Sequence, residues 1–153
     1  MQPQQLDLKT AIPVIRASID NRTLAAAYFP ASMNNFCKNI YSDHDGIKCA
    51  VGMCLSPEVI EAIKTDLISN LAGENIEGLI DLDLISVVED HRNLFWTIQL
   101  AHDQWLKRSK LDLELASIDR DVRLDLTDII DEVEPMNEKR FRLLLDRVEA
   151  IVQ

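Results

Sequence analysis

Glycine and basic residues are scarce in this chain, cysteine is present in an odd number, and no long apolar run occurs. Only 4 of the 153 residues are glycine. None of the Gly-x-x-x-x-Gly-Lys-Ser/Thr, Gly-x-Gly-x-x-Gly, Gly-x-Ser-x-Gly or His-Glu-x-x-His patterns is found, so the familiar phosphate-cradling loops and hydrolase signatures are excluded. Three cysteines, Cys37, Cys49 and Cys54, fit poorly with a disulfide framework and point to a reducing compartment. No stretch of about 18 apolar residues exists to span a bilayer. Met1-Gln2-Pro3-Gln4-Gln5 has neither the basic start nor the apolar stretch of a signal peptide, so a cytoplasmic protein is expected.

Basic residues number 16 against 26 acidic ones, a net charge of −10. A field of that sign repels polyanions, which argues against direct nucleic-acid binding. The excess is uneven: Met1–Lys110 holds 10 basic and 14 acidic residues, while the last 43 residues hold 6 and 12. The chain is 47% hydrophobic, and at this length it can bury roughly 70% of its extended surface in one core.

Local signals give a mainly α, compact helical domain of about five or six helices. Thr10 is the expected cap of a first helix with Pro13 in its first turn, Ile12, Ile15 and Ile19 on one face, and an end near Ala27 before Pro30. The polar stretch that follows, with Asp45-Gly46 as a turn, predicts one irregular loop or short β-hairpin over about residues 37–49. Ser56-Pro57-Glu58 is a strong helix start, followed by Ile60, Ile63, Leu67 and Leu71 and a stop at Gly73. Ile76–Val88 mixes both periodicities and is read as helix. Asp90–Arg108 is read as a helix burying Leu94, Phe95, Ile98, Ala101, His102 and Trp105. Ile118, Val122, Leu126, Ile129 and Val133 predict a helix ended by Pro135, and Asn137 caps a last one. The expected organisation is a helical core domain over 1–124 with an acidic helical extension over 125–153 packed on it.

Several constellations carry possible chemistry. Aligning Gly46 with the sixth position of an EF-hand loop puts Tyr41 first and Gly52 twelfth, so the decisive calcium ligands are missing. Cys37, His44, Cys49 and Cys54 share one short segment but lack a Cys-x₂-Cys pair, which favours small buried cysteines over a zinc site. Cys49 follows Lys48 and a turn, a setting that lowers a thiol pKa. A thiol or zinc-dependent site on Cys49, Cys54, His44 and His102 is therefore the alternative reading. His91 and His102 share a helix face about 16 Å apart by the helical rise and cannot bind one metal. Asp103 is expected to lock the segment around Cys37–Gly52 onto this helix.

The most informative surface feature is acidic. On a helix, Asp121, Asp125, Asp128 and Glu132 step by 4, 3 and 4, giving a row of carboxylates about 5–6 Å apart. That spacing approaches the interval between phosphates, so the row is expected to engage a basic surface on a partner protein, as a DNA mimic does. A solvated edge partly neutralised by Arg120 and Arg123 is the alternative. Phe141, Leu144, Leu145, Val148 and Val152 form an apolar stripe opposite Lys139, Arg142 and Glu149, a candidate homodimer contact. No cofactor, metal or catalytic residue is expected.

Cys37-Lys38-Asn39-Ile40-Tyr41, Asp45-Gly46-Ile47-Lys48-Cys49-Ala50-Val51-Gly52 and Leu100-Ala101-His102-Asp103 together resemble a C-x-Y, D-G-x-K-C-A-[VI]-G, H-D pattern. That pattern belongs to small bacterial, phage and plasmid proteins with no assigned activity. The match spans roughly Ser32–Asp103. It departs from the pattern at Ile40 and Ser42, and an acidic region is added from about Asp125. The resemblance implies a bacterial or mobile-element setting, in which compact acidic proteins act as inhibitors of host nucleases and defence complexes.

Overall fold

A computed structural model describes residues 2–28, 48–65, 76–116 and 136–153. In chain order these form β1 (Gln4–Leu6), α1 (Leu8–Asp20), a 3₁₀ turn (Ala25–Ala27), α2 (Ala50–Cys54), α3 (Pro57–Thr65), α4 (Ile76–Asp81), β2 (Ile85–Val87), α5 (Arg92–Ala116) and α6 (Glu138–Val152). The fold is mainly α, as the periodicity predicts.

The first helix begins earlier than expected. Asp7, extended at φ −133°, is the cap, and its carboxylate accepts from Lys9 N–H at 2.9 Å. Thr10 lies inside the first turn and donates its hydroxyl to the Asp7 carbonyl. Pro13 consequently sits within the helix rather than at its start. It is tolerated because both it and Lys9, whose carbonyl loses its helical partner, are exposed to water. Leu8, Ala11, Ile12, Ile15, Ser18 and Ile19 make the buried face.

The helix also stops at Asp20, well short of Ala27. Arg22 takes a left-handed φ of 58°, its N–H donates to Ile19 C=O, and Thr23 N–H donates to Ser18 C=O. This is a Schellman end with arginine in the place where glycine is usual, which left no mark in the sequence. Leu24 then bridges Lys48 in parallel, and Ala25, Ala26 and Ala27 turn through the core.

Over Ile76–Val88 the expected continuous helix is replaced by α4 and β2. Asp83 (φ 57°) closes α4 by the same motif, with Leu84 N–H on Leu79 C=O. β2 pairs in parallel with β1 in the register Gln4↔Ile85, Gln5↔Ser86 and Leu6↔Val87. A strand whose partner lies some eighty residues away has no local signature, which explains the misreading.

Ser56 caps α3 as expected, its hydroxyl accepting from Val59 N–H at 3.3 Å. α5 starts at Arg92, with the His91 carbonyl accepting from Phe95 N–H, and continues to Ala116 instead of ending at Arg108. Asn137 caps α6, its side chain accepting from Arg140 N–H at 3.0 Å. The hairpin or loop expected over 37–49, apart from Lys48 and Cys49, the stop at Gly73 and the helix over Ile118–Val133 lie outside the described residues.

One core joins α1, the 3₁₀ turn, α2, α5 and α6. α6 inserts Phe141, Leu145 and Val148 into it. Each such side chain contributes roughly 1.5–3 kcal/mol by burial. Around this apolar centre runs a ladder of charge pairs to α1: Arg16 to Asp146 (2.6 Å) and Glu149 (2.7 Å), Asp20 to Arg142 (2.7 Å), and Arg22 to Glu138 (2.8 Å). The rungs set the two helices antiparallel. Glu138 is pushed up by burial, but hydrogen bonds from Arg22 and Arg142 outweigh this and hold it below the usual carboxylate range. Such half-exposed pairs contribute about 0–1 kcal/mol each, so apolar burial seats α6 and the ladder fixes its register.

Candidate functional site

The densest polar chemistry among the described residues lies on one edge of α5. Gln99, His102 and Asp103 stand at i, i+3 and i+4, beside the buried face made by Phe95, Ile98, Ala101 and Trp105. His102 is fully buried. Its Nε2 accepts from Ala26 N–H at 3.2 Å, which requires the proton on Nδ1, where it faces Asp103 Oδ1 at 3.1 Å. The same carboxylate oxygen accepts from Gln99 Nε2 at 2.9 Å. Gln99 Oε1 in turn accepts from Val51 N–H, in the first turn of α2, at 2.9 Å. The network thus fastens the 3₁₀ turn and the start of α2 to the central helix. Those amides lack partners within their own short elements and would otherwise be buried unpaired.

His91 repeats the device at the start of α1. Its Nδ1 accepts from Leu8 N–H at 3.2 Å, with Asp7 Oδ1 at 3.7 Å. Gln4 performs a third clasp: its side chain donates to Cys54 C=O at 2.8 Å and accepts from Ser56 N–H at 2.7 Å. Strand β1 thereby ties the α2–α3 junction to β2. Among the described residues, no buried side-chain nitrogen or oxygen lacks a partner.

Cys49 is the cap of α2, its Sγ accepting from Gly52 N–H at 3.2 Å. The sequence placed a thiol near a helix start, where its pKa should fall; the structure reverses the direction. Burial pushes the Cys49 thiol far up, against the lowering effect of the Gly52 hydrogen bond. Burial likewise pushes Cys54 up to about 12, and its thiol donates to Ala50 C=O at 3.4 Å. The His102 Nε2 lone pair is held by the Ala26 amide and is not directed at either thiol. Among the described residues no group of three or more His, Cys, Asp or Glu is arranged to hold a metal. Cys37 and His44 lie outside the described residues.

A labelling experiment checks this reading. In a Cys37→Ser background at pH 7, a maleimide is expected to modify Cys49 and Cys54 at least about 100-fold more slowly in native protein than in denaturant, because the thiolate is the nucleophile. Stoichiometric native labelling of Cys49 within minutes would restore the thiol-site reading.

Of the proposed binding residues, Asp121, Asp125, Asp128 and Glu132 lie outside the described residues. Phe141, Leu145 and Val148 are buried in the chain's own core and Leu144 is half-buried against it. The stripe on α6 is therefore occupied within the chain, and the large apolar side chains it leaves exposed are Leu143 and Ile151. Arg142 and Glu149, placed opposite the stripe by sequence, instead flank it and pair with α1. Asp103 does help lock the Cys49–Gly52 region onto α5, as expected, but acts through Gln99, which sequence reasoning passed over. The i, i+3, i+4 spacing of Gln99, His102 and Asp103 was the available signal; Gln4 had none.

No helix among the described residues is long and apolar enough to cross a membrane. Comparison with family models, with curated proteins and with solved structures finds no match to this chain.

Proposed function

We propose that this chain is a non-enzymatic protein-binding module whose acidic segment occupies a basic, nucleic-acid-binding surface of a host protein, acting as a phage or mobile-element inhibitor. The observation that carries the reading is where the negative charge lies along the chain. Glu138, Asp146 and Glu149 are paired with Arg16, Arg22 and Arg142, and Lys139–Gln153 has 4 basic and 2 acidic residues. The largest and densest share of the surplus falls on Leu111–Glu134, with 9 acidic and 2 basic residues.

Opposite charge accelerates encounter and sets register on a partner. A row Asp121, Asp125, Asp128 and Glu132 at helical spacing meets a groove lined with arginine and lysine as successive phosphates would. The test is a capture from nuclease-treated bacterial lysate with wild-type chain and with Asp121→Lys/Asp125→Lys/Asp128→Lys, followed by DNA-binding assays on the captured protein. Wild type should displace DNA from that protein. The triple variant, with unchanged circular dichroism, should lose at least about 100-fold in affinity, equivalent to about 2.7 kcal/mol. Equal displacement by both chains would sink the acidic-row reading.

A further inference from the structure

We propose that the groove between α1 and α5 that seats α6 also accepts the α6 of a second copy, so that two chains exchange their C-terminal helices. α6 is built as a detachable ligand. Its buried side chains Phe141, Leu145 and Val148 fall at i, i+4 and i+7, the anchor spacing of a helix laid into a groove. Its cap is its own Asn137. Among the described residues, no backbone hydrogen bond joins it to another element. The contacts with α1 and α5 that hold it, among the described residues, are side-chain contacts, available equally from a neighbouring copy.

The groove also specifies which helix it takes. Arg16 and Arg22 require carboxylates at the positions of Asp146, Glu149 and Glu138, and Asp20 requires a cation at that of Arg142. The rungs run in opposite order along the two helices, so the groove takes α6 antiparallel to α1. Nineteen residues, 117–135, join α5 to Met136, and swapping identical elements is a low-cost route to a dimer. Because the same contacts form within one chain, the tether favours the closed monomer up to roughly millimolar concentration. Mismatching the charges inside each chain removes that preference.

The experiment mixes two full-length variants, Arg16→Glu and Asp146→Lys/Glu149→Lys. Within either chain the rung is broken, whereas an exchanged pair restores both rungs at once. In multi-angle light scattering and native mass spectrometry, each variant alone should be less than about one-tenth dimer at about 100 μM. The equimolar mixture should become more than about half heterodimer. A mixture that stays monomeric overturns the proposal, and so does Arg16→Glu dimerising alone to the same extent. If either variant is unfolded by itself, recovery of helical circular dichroism with heterodimer on mixing supports exchange, and its absence counts against it. Asp20→Arg mixed with Arg142→Asp repeats the measurement at an independent rung.

Discussion

Phe141→Ala is expected to cost about 3–5 kcal/mol of folding stability, the range for removing a fully buried phenylalanine. The ring is completely inaccessible. It lies 5.4 Å from the Trp105 ring at an interplanar angle of 41°, and 6.5 Å from His102 edge-on at 69°. Those neighbours belong to α5, the element that also carries the polar network, so they cannot collapse into the vacated space without moving Gln99 and His102 off their amides. The cavity term should therefore be retained in full. Against a typical domain stability of about 5–15 kcal/mol, such a loss is a large fraction. The charge ladder cannot compensate, because half-exposed pairs contribute about 0–1 kcal/mol each. Urea denaturation followed by circular dichroism and tryptophan fluorescence measures the loss. Leu143→Ala, on the exposed side of the same helix, should stay within about 0.5 kcal/mol of wild type. A loss below about 1 kcal/mol at Phe141 would mean that α6 is not seated as described.

His102→Leu is expected to cost about 2–4 kcal/mol by a different route. Leucine fills much of the space but accepts no hydrogen bond, so Ala26 N–H is left buried without a partner in a turn made of three buried alanines. An orphaned buried amide costs about 1–3 kcal/mol, and the released Asp103 contact adds to it. Gln99→Leu should act in the same way on Val51 N–H. The two positions share Asp103 Oδ1, so their double variant should be less destabilised than the sum of the singles, with a coupling of about 0.5–3 kcal/mol. Amide hydrogen exchange separates the routes. His102→Leu should speed exchange most at Ala26, Gln99→Leu most at Val51, and a uniform change at both amides would contradict the separate hydrogen bonds.

Lys48, Cys49, Val51 and Gly52 on one side, and Gln99, His102 and Asp103 on the other, are joined by the polar network, the Cys49 cap and the bridge at Leu24. These residues account for how the short helix α2 is pinned to α5, and the proposed binding activity rests on others.

What was legible in the sequence was whatever is decided within a turn or two of helix. Ser56 and Asn137 cap because a side-chain oxygen and an amide three residues on meet by local geometry. The faces of α1, α5 and α6 follow from 3.6-residue periodicity, and they place Ile15, Phe95, His102 and Phe141 inside without knowledge of partners. The tertiary structure decided the rest, because the deciding partner lies far along the chain. Arg22 and Asp83 adopt left-handed turns where local preference asks for glycine. β1 and β2 become strands only by finding each other. Burial around Cys49 overrides the effect of its place at a helix start. The stripe on α6 could be recognised as apolar from sequence alone, but only the tertiary structure supplies the complementary row of Arg16, Asp20 and Arg22 on α1 beside which it packs. Local free energies are written in neighbouring residues, whereas desolvation and charge complementarity exist only once distant segments meet.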